Sequence, residues 1–221
     1  MTTPYELVVL DLAGTTVVDD GIVEGAFARA WDRVKRTDEG RKAAIQWVRD
    51  TMGQSKIEVF RHFADEDTAQ EINREFERAY RELIDDGKCE AIPGAEETIR
   101  ALKARGLKIA FTTGFAPSTA KAILKALGWQ DLADVVLTPE DAGRGRPAPD
   151  LVLMSVIRTK TSSVAATVVV GDTESDAASG VAAGAGLVVG VLTGSRDEAT
   201  LRDAGAGLVL PSVADLPAAL P

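Results

Sequence analysis

The sequence predicts an α/β fold: a doubly wound parallel sheet whose first strand is separated from the others by a helical insertion. Three observations predict it. Short continuous apolar runs, such as Leu7-Val8-Val9-Leu10 and Val168-Val169-Val170, suit strands covered on both faces. From Pro93 onward such runs alternate with helical patterns, as in parallel strands joined by crossover helices. Between about Val23 and Ile84 no such run occurs, and only helical periodicity remains.

Taken in order, Tyr5 to Leu12 reads as the first strand. Three amphipathic stripes follow: Phe27, Ala30, Trp31 and Val34; then Ala44, Trp47 and Val48; then Ile72, Phe76, Ala79 and Leu83 at i, i+4, i+7 spacing. Gly53 and Asp85-Asp86-Gly87 break them. A helix is expected over 94–104, a strand over 107–112 and a helix over 118–127. A short strand at 135–137 precedes a helix over 149–159, with Pro149 near its start. A strand at 167–170, a helix over 174–183 and strands at 187–191 and 208–210 complete the sheet. The Ala- and Gly-rich stretch 177–190 fits close helix–sheet packing. The predicted division is a core of residues 1–16 and 93–221 and a helical domain of residues 17–92.

At 221 residues, with 45% hydrophobic and 27% charged side chains, the chain has ample material for a core. A net charge of −9 without a basic patch argues against nucleic acid as a partner. Cys89 is the only cysteine, which excludes an intrachain disulfide or a zinc cluster and agrees with a reducing, cytoplasmic location. No basic leader precedes the first strand, and no apolar stretch is long enough for a membrane span.

Four polar clusters each follow an apolar run. Asp11-Leu12-Ala13-Gly14-Thr15 follows the first strand, Thr112-Thr113-Gly114 the second, Arg146-Pro147 the third, and Gly171-Asp172-Thr173-Glu174-Ser175-Asp176 the fourth. The carboxyl ends of parallel strands share one sheet edge, so these clusters are expected to meet in one crevice. Carboxylates, a hydroxyl and a guanidinium there suit Mg²⁺ with a phosphoryl-type group, and a carboxylate nucleophile. Gly14 permits a sharp turn that would leave N–H groups open toward an anion. Thr113 with Gly114 offers a hydroxyl and an N–H for phosphate. Arg146 would neutralise the nucleophile and the phosphoryl oxygens. Asp172 and Asp176, four apart where strand gives way to helix, suit a hard cation. The same residues also read as an N-cap followed by acidic first-turn positions.

In this order the clusters resemble the haloacid dehalogenase superfamily, over nearly the whole chain. The resemblance implies a Rossmann-like core with a helical cap after strand one. It implies Asp11 as nucleophile and Mg²⁺ ligand, Asp172 and the Ala13 carbonyl as further ligands, Asp176 as support for the metal or for Arg146, and Gly14, Thr15, Thr113 and Gly114 as phosphate-binding. Phosphatases of the superfamily carry a second Asp two residues after the nucleophile. Here that position is Ala13, which has no proton to donate. The Asp-x-Ala-Gly-Thr form, with Thr-Thr-Gly and Gly-Arg-Pro, is similar to phosphonoacetaldehyde hydrolases (phosphonatases). In that branch a cap lysine forms a Schiff base, so the P–C bond breaks to an enamine. Met52-Gly53-Gln54-Ser55-Lys56 resembles the segment that carries it, which makes Lys56 the amine and Met52, Gln54 and Ser55 substrate-facing.

Two positions depart from that branch. Val59 stands where phosphonatases have a His, and Phe115 where they often have a Tyr. His62, the only histidine, is expected at the surface or in packing. The implied substrate is a small phosphonate. The alternative is a phosphatase or phosphomutase-like transferase acting on a small phosphorylated metabolite, with Glu58, Asp19 or Asp20 as the acid. A catalytically dead binding module is disfavoured by the joint presence of Asp11, Thr113, Arg146 and Asp172. Cap-mediated dimers occur in the branch, so the resemblance implies a homodimer.

Overall fold

The computed structural model describes residues 4–35 and 37–221. Six strands form one wholly parallel sheet: β1 (Leu7–Asp11), β2 (Lys108–Thr112), β3 (Val135–Leu137), β4 (Thr167–Gly171), β5 (Leu187–Val191) and β6 (Leu208–Leu210). Their spatial order is β3-β2-β1-β4-β5-β6, so β1 lies at the point where the winding reverses. The register sets Asp11 beside Thr112, and Leu10 beside both Phe111 and Val170.

Strand β1 shows why the apolar runs are continuous. Val8 and Leu10 join the large apolar cluster on one face, while Leu7 and Val9 join a second cluster on the other. Helices α5 (Ala95–Ala104) and α6 (Pro117–Ala126) feed the first cluster through Ile99, Leu102 and Ile123. Helix α8 (Asp150–Thr159) feeds the second through Val152. Helix α9 (Glu174–Ala183) approaches the sheet so closely that a Cβ at Gly180 would lie 2.8 Å from Val188 Cγ2. This accounts for the small residues expected to pack there. Three further helices, α7 (Pro139–Ala142), α10 (Glu198–Asp203) and α11 (Leu216–Ala219), were not anticipated from periodicity because each is at most six residues long.

Between β1 and α5 the described residues form four helices and no strand: α1 (Ile22–Val34), α2 (Arg41–Asp50), α3 (Lys56–Arg61) and α4 (Glu66–Asp85). The predicted stripes are their inner faces. Phe27, Ala30 and Trp31 are buried on α1, Ala44 and Val48 on α2, and Ile72, Phe76, Ala79 and Leu83 on α4. Asp65 caps α4 by accepting from Thr68 N–H at 2.9 Å. The chain leaves the sheet and returns to it side by side. Val18 N–H donates to Glu90 O, and Ile92 N–H to Thr16 O, each at 2.9 Å. No helix among the described residues is long and apolar enough to cross a membrane.

Candidate active site

The four clusters meet at the carboxyl edge of the sheet. Asp11 ends β1, Thr113 follows β2, Asp172 follows β4, and Arg146 comes from the loop before α8. Asp11, Arg146, Asp172 and Asp176 are all buried. Arg146 Nη2 lies 2.7 Å from Asp11 Oδ1, and Nη1 pairs with Asp176. Two guanidinium nitrogens are thus spent on carboxylates, and the third, Nε, is buried with no hydrogen-bond acceptor among the described residues.

Oxygens of Asp11, Asp172 and Asp176 lie within 4.8 Å of one another. Burial, and then the charge of Asp11, push the Asp172 carboxyl up to about 7. Three buried carboxylates so close repel one another. A hard divalent cation relieves that repulsion, and an all-oxygen donor set suits Mg²⁺. The site therefore fits the metal that the residue pattern implies.

The turn after β1 departs from one expectation. Gly14 N–H is not open toward an anion; it donates to Val17 O at 2.7 Å, and Thr15 N–H turns back to Leu12 O at 3.2 Å. Thr15 Oγ1 donates to Asp172 Oδ1 at 2.8 Å. Thr15 thus fixes the Asp172 carboxylate, and Gly14 leaves the space that carboxylate occupies. Gly14 is needed for its φ of +86° and because a Cβ there would run into the Asp172 carboxylate. Ala13, half-buried, forms an isolated parallel bridge with Val17. Asp176 closes a capping box with Thr173, so the capping and charge-pairing readings hold together.

Thr113 N–H is taken by Leu137 O at 3.2 Å, and its Oγ1 accepts from Phe115 N–H, also at 3.2 Å. Its hydroxyl proton stays available for a ligand. Gly114 has a second reason to be glycine: a Cβ there would overlap Gln54 O. Its carbonyl accepts from Lys56 N–H at 3.2 Å. Ser55 is buried against Gly145, and Gly53 abuts Thr173. The segment from Gly53 to Lys56 is thus seated on the loops after β2 and β4 and before α8.

Lys56 begins α3 and is 6% exposed. Its Nζ lies 5.6 Å from the centre of the Phe115 ring. Burial lowers its pKa to about 8; Asp19 opposes that shift, and Arg146 adds to it. Met52 lines a cavity of about 300 Å³ with Gly14, Asp19, Asp172 and Gly194.

Other candidates lie apart. Glu58 is exposed and tied to Arg61 at 2.5 Å, and Asp20 is exposed, so neither is placed to serve as an acid. His62 stacks on Trp47 with ring centres 3.6 Å apart, a packing role. The sequence reading missed the loop after β5. Thr193 Oγ1 donates to Gly14 O at 2.6 Å, and a Cβ at Gly194 would strike Asp172. Its signal was present, since Thr193-Gly194 follows an apolar run just as Thr113-Gly114 does.

The profile of the haloacid dehalogenase-like hydrolases matches residues 5–184. The chain is 28% identical over 260 residues to a phosphonoacetaldehyde hydrolase from Parabacteroides distasonis, covering 96% of this chain and 94% of that one. It is 30% identical over 167 residues to another from Bacillus cereus, covering 75% of this chain and 59% of that protein. A hydrolase structure from Pseudomonas syringae superposes with a TM-score of 0.86 at 24% identity, over 96% of each chain. With its six-stranded parallel sheet, its carboxyl-edge site and a family match over most of its length, the chain belongs to the haloacid dehalogenase-like hydrolases.

Proposed function

We propose that this hydrolase is phosphonatase-like and cleaves the P–C bond of a small phosphonate such as phosphonoacetaldehyde. The observation that carries the reading is Lys56: a buried amine at the start of α3, 5.6 Å from the centre of the Phe115 ring, with a pKa of about 8. At that pKa a large fraction of the amine is neutral near pH 8 and able to attack a carbonyl.

On this reading residues 17–92 form a cap that shuts the site from water. Neutral Lys56 condenses with the aldehyde, and the resulting iminium draws electrons from the P–C bond. Asp11, the nucleophile, attacks phosphorus and forms an aspartyl-phosphate, which water then hydrolyses. Arg146 and the Thr113 hydroxyl bind the phosphoryl oxygens. Asp11, Asp172 and the Ala13 carbonyl would hold Mg²⁺, with Asp176 supporting Arg146. The ion, when bound, supplies positive charge that offsets the carboxylates and the developing phosphoryl charge.

Borohydride added during turnover of phosphonoacetaldehyde, followed by peptide mapping, tests the reading. A reduced adduct on Lys56 is the expected result; turnover without an adduct rejects the Schiff base. The second reading is a phosphatase or phosphomutase-like transferase, favoured by Val59 and Phe115, which replace side chains common in phosphonatases. Fast turnover of phosphate esters with none of phosphonates would select it.

A further inference from the structure

Residues 49–56 run from the last turn of α2 to the first residue of α3, so their seat on the core decides where Lys56 stands. The downstream end is held by Lys56 N–H, which donates to Gly114 O. The middle is held by shape, with Gly53 against Thr173 and Ser55 against Gly145. The upstream end is held by a side chain outside the reaction described above.

That side chain is Arg196, in the loop between β5 and α10. Its Nη2 donates to Arg49 O at 2.9 Å, crossing from the core to the helical segment. The last carbonyls of a helix lack intrahelical donors and carry the negative end of its dipole. Arg49 O is one of them, and Met52 N–H reaches it only at the long distance of 3.5 Å. A guanidinium there is a C-terminal cap supplied from outside α2. The side chain of Arg49 is turned away, to Glu24 of α1, by two hydrogen bonds of 2.6 Å. Arg196 is itself aimed: its Nε donates to Glu174 Oε2 at 2.6 Å, and Glu174 opens α9 two residues after Asp172. Arg196, Arg49, Met52 and Asp172 line one cavity. One guanidinium therefore links the helix that follows Asp172 to the helix that precedes Lys56. Another side-chain tie to the core, Ser118 Oγ to Glu77 Oε2 at 2.9 Å, ends on α4, which does not carry Lys56.

We propose that Arg196 is a positioning residue: it clamps the C-terminus of α2 to the core and so seats the segment from Met52 to Lys56. The inference rests on reading residues 17–92 as a cap, and it stands whether or not Lys56 forms a Schiff base. Arg196 acts through Lys56 and its neighbours and needs no contact with a reacting atom. Without its bond to Arg49 O the segment keeps its downstream anchor alone. The seated arrangement then becomes a smaller fraction of the population, and Lys56 gains access to water.

The test uses the full chain with Mg²⁺ and three variants: Arg196→Ala, Arg196→Lys and Glu174→Gln. Lys56 is labelled at pH 8 with an N-hydroxysuccinimide ester and read by peptide mapping. Turnover is followed with phosphonoacetaldehyde, or with p-nitrophenyl phosphate where wild type turns over esters only. In Arg196→Ala, circular dichroism should be unchanged, Lys56 labelling about tenfold faster and kcat/KM about tenfold lower. Arg196→Lys keeps a donor for Arg49 O and should recover most of both effects. Millimolar guanidinium should recover part of both in Arg196→Ala. Glu174→Gln, which leaves Arg196 present but less firmly aimed, should move both readouts in the same direction by less. A role in stability alone would lower the unfolding temperature and leave Lys56 labelling unmoved. Either readout within about twofold of wild type in Arg196→Ala overturns the inference. Equal acceleration at every lysine overturns it too, because that is general loosening. Borohydride trapping in wild type separates the two levels. If no adduct forms but Arg196→Ala speeds Lys56 labelling and slows turnover, the Schiff base falls and the clamp stands. If the adduct forms and labelling is unmoved in Arg196→Ala, the clamp alone falls.

Discussion

Lys56 is a long basic side chain in a place where water barely reaches, and its chemistry follows from that burial. Desolvation disfavours the ammonium, and Asp19 only partly offsets this. Labelling of Lys56 by an amine-reactive probe should therefore rise with pH around a midpoint near 8, against 10.5 for an ordinary lysine. A midpoint near the ordinary value would contradict the burial argument. The same shift has a sign for stability. The folded chain holds fewer protons than the unfolded chain between about 8 and 10.5, so this residue makes stability rise with pH across that window. Asp11 is expected to be indispensable. Asp11→Asn should lower turnover by about 10³-fold or more and abolish the acid-stable mass increment of a phosphoenzyme. Asp172 is tuned by Asp11 and Thr15, neither adjacent to it in sequence.

Helix α3 is only six residues long, and its role depends on where its first residue is anchored. The anchor is a backbone contact from Lys56 N–H to Gly114 O, allowed because Gly114 has no side chain. Gly114→Ala would place a methyl against Gln54 O and push this segment off the sheet edge. Overpacking of this kind costs about 1–3 kcal/mol. The expected outcome is a lower unfolding temperature and kcat/KM reduced about tenfold, because the amine and the phosphoryl pocket lose their registration. Steady-state kinetics with thermal unfolding on one preparation reads both. Gly53→Ala, at φ +83° and against Thr173, should act in the same direction.

Across the molecule, three carboxylates at one sheet edge store repulsion that a cation relieves. Mg²⁺ should therefore raise the unfolding temperature, by about 2.7 kcal/mol of stabilisation when its concentration is 100 times Kd. Without the ion, Asp172 works the other way. Its folded pKa of about 7 lies above the usual 3.8, so its contribution is fully present below that usual value and is lost as pH rises through about 7. Metal-free wild type should thus lose stability between about pH 4 and 7. In Asp172→Asn both that loss and the Mg²⁺ effect should shrink. Thermal melts across pH with EDTA and with Mg²⁺ check this; identical curves for the two proteins would refute it.

The order of strands and helices was legible because a strand buried on both faces must be continuously apolar, and a helix on a surface must be amphipathic; Leu7–Leu10 and the Ile72–Leu83 stripe declare themselves locally. The meeting of Asp11, Thr113, Arg146 and Asp172 was legible too, since parallel strands bring their carboxyl ends to one edge. What Gly14 and Thr15 do was not. Both looked like phosphate contacts, and only the packed turn shows their hydrogen bonds directed to Val17, Leu12 and Asp172. The loop at Thr193-Gly194 was legible by the same pattern as Thr113-Gly114, whereas the burial of Asp19 and the exposure of Asp20 and Glu58 could not be read from residue types. Which carboxylate faces a cavity and which faces water depends on how α1 and α3 pack, and that is decided by contacts between residues far apart in the chain.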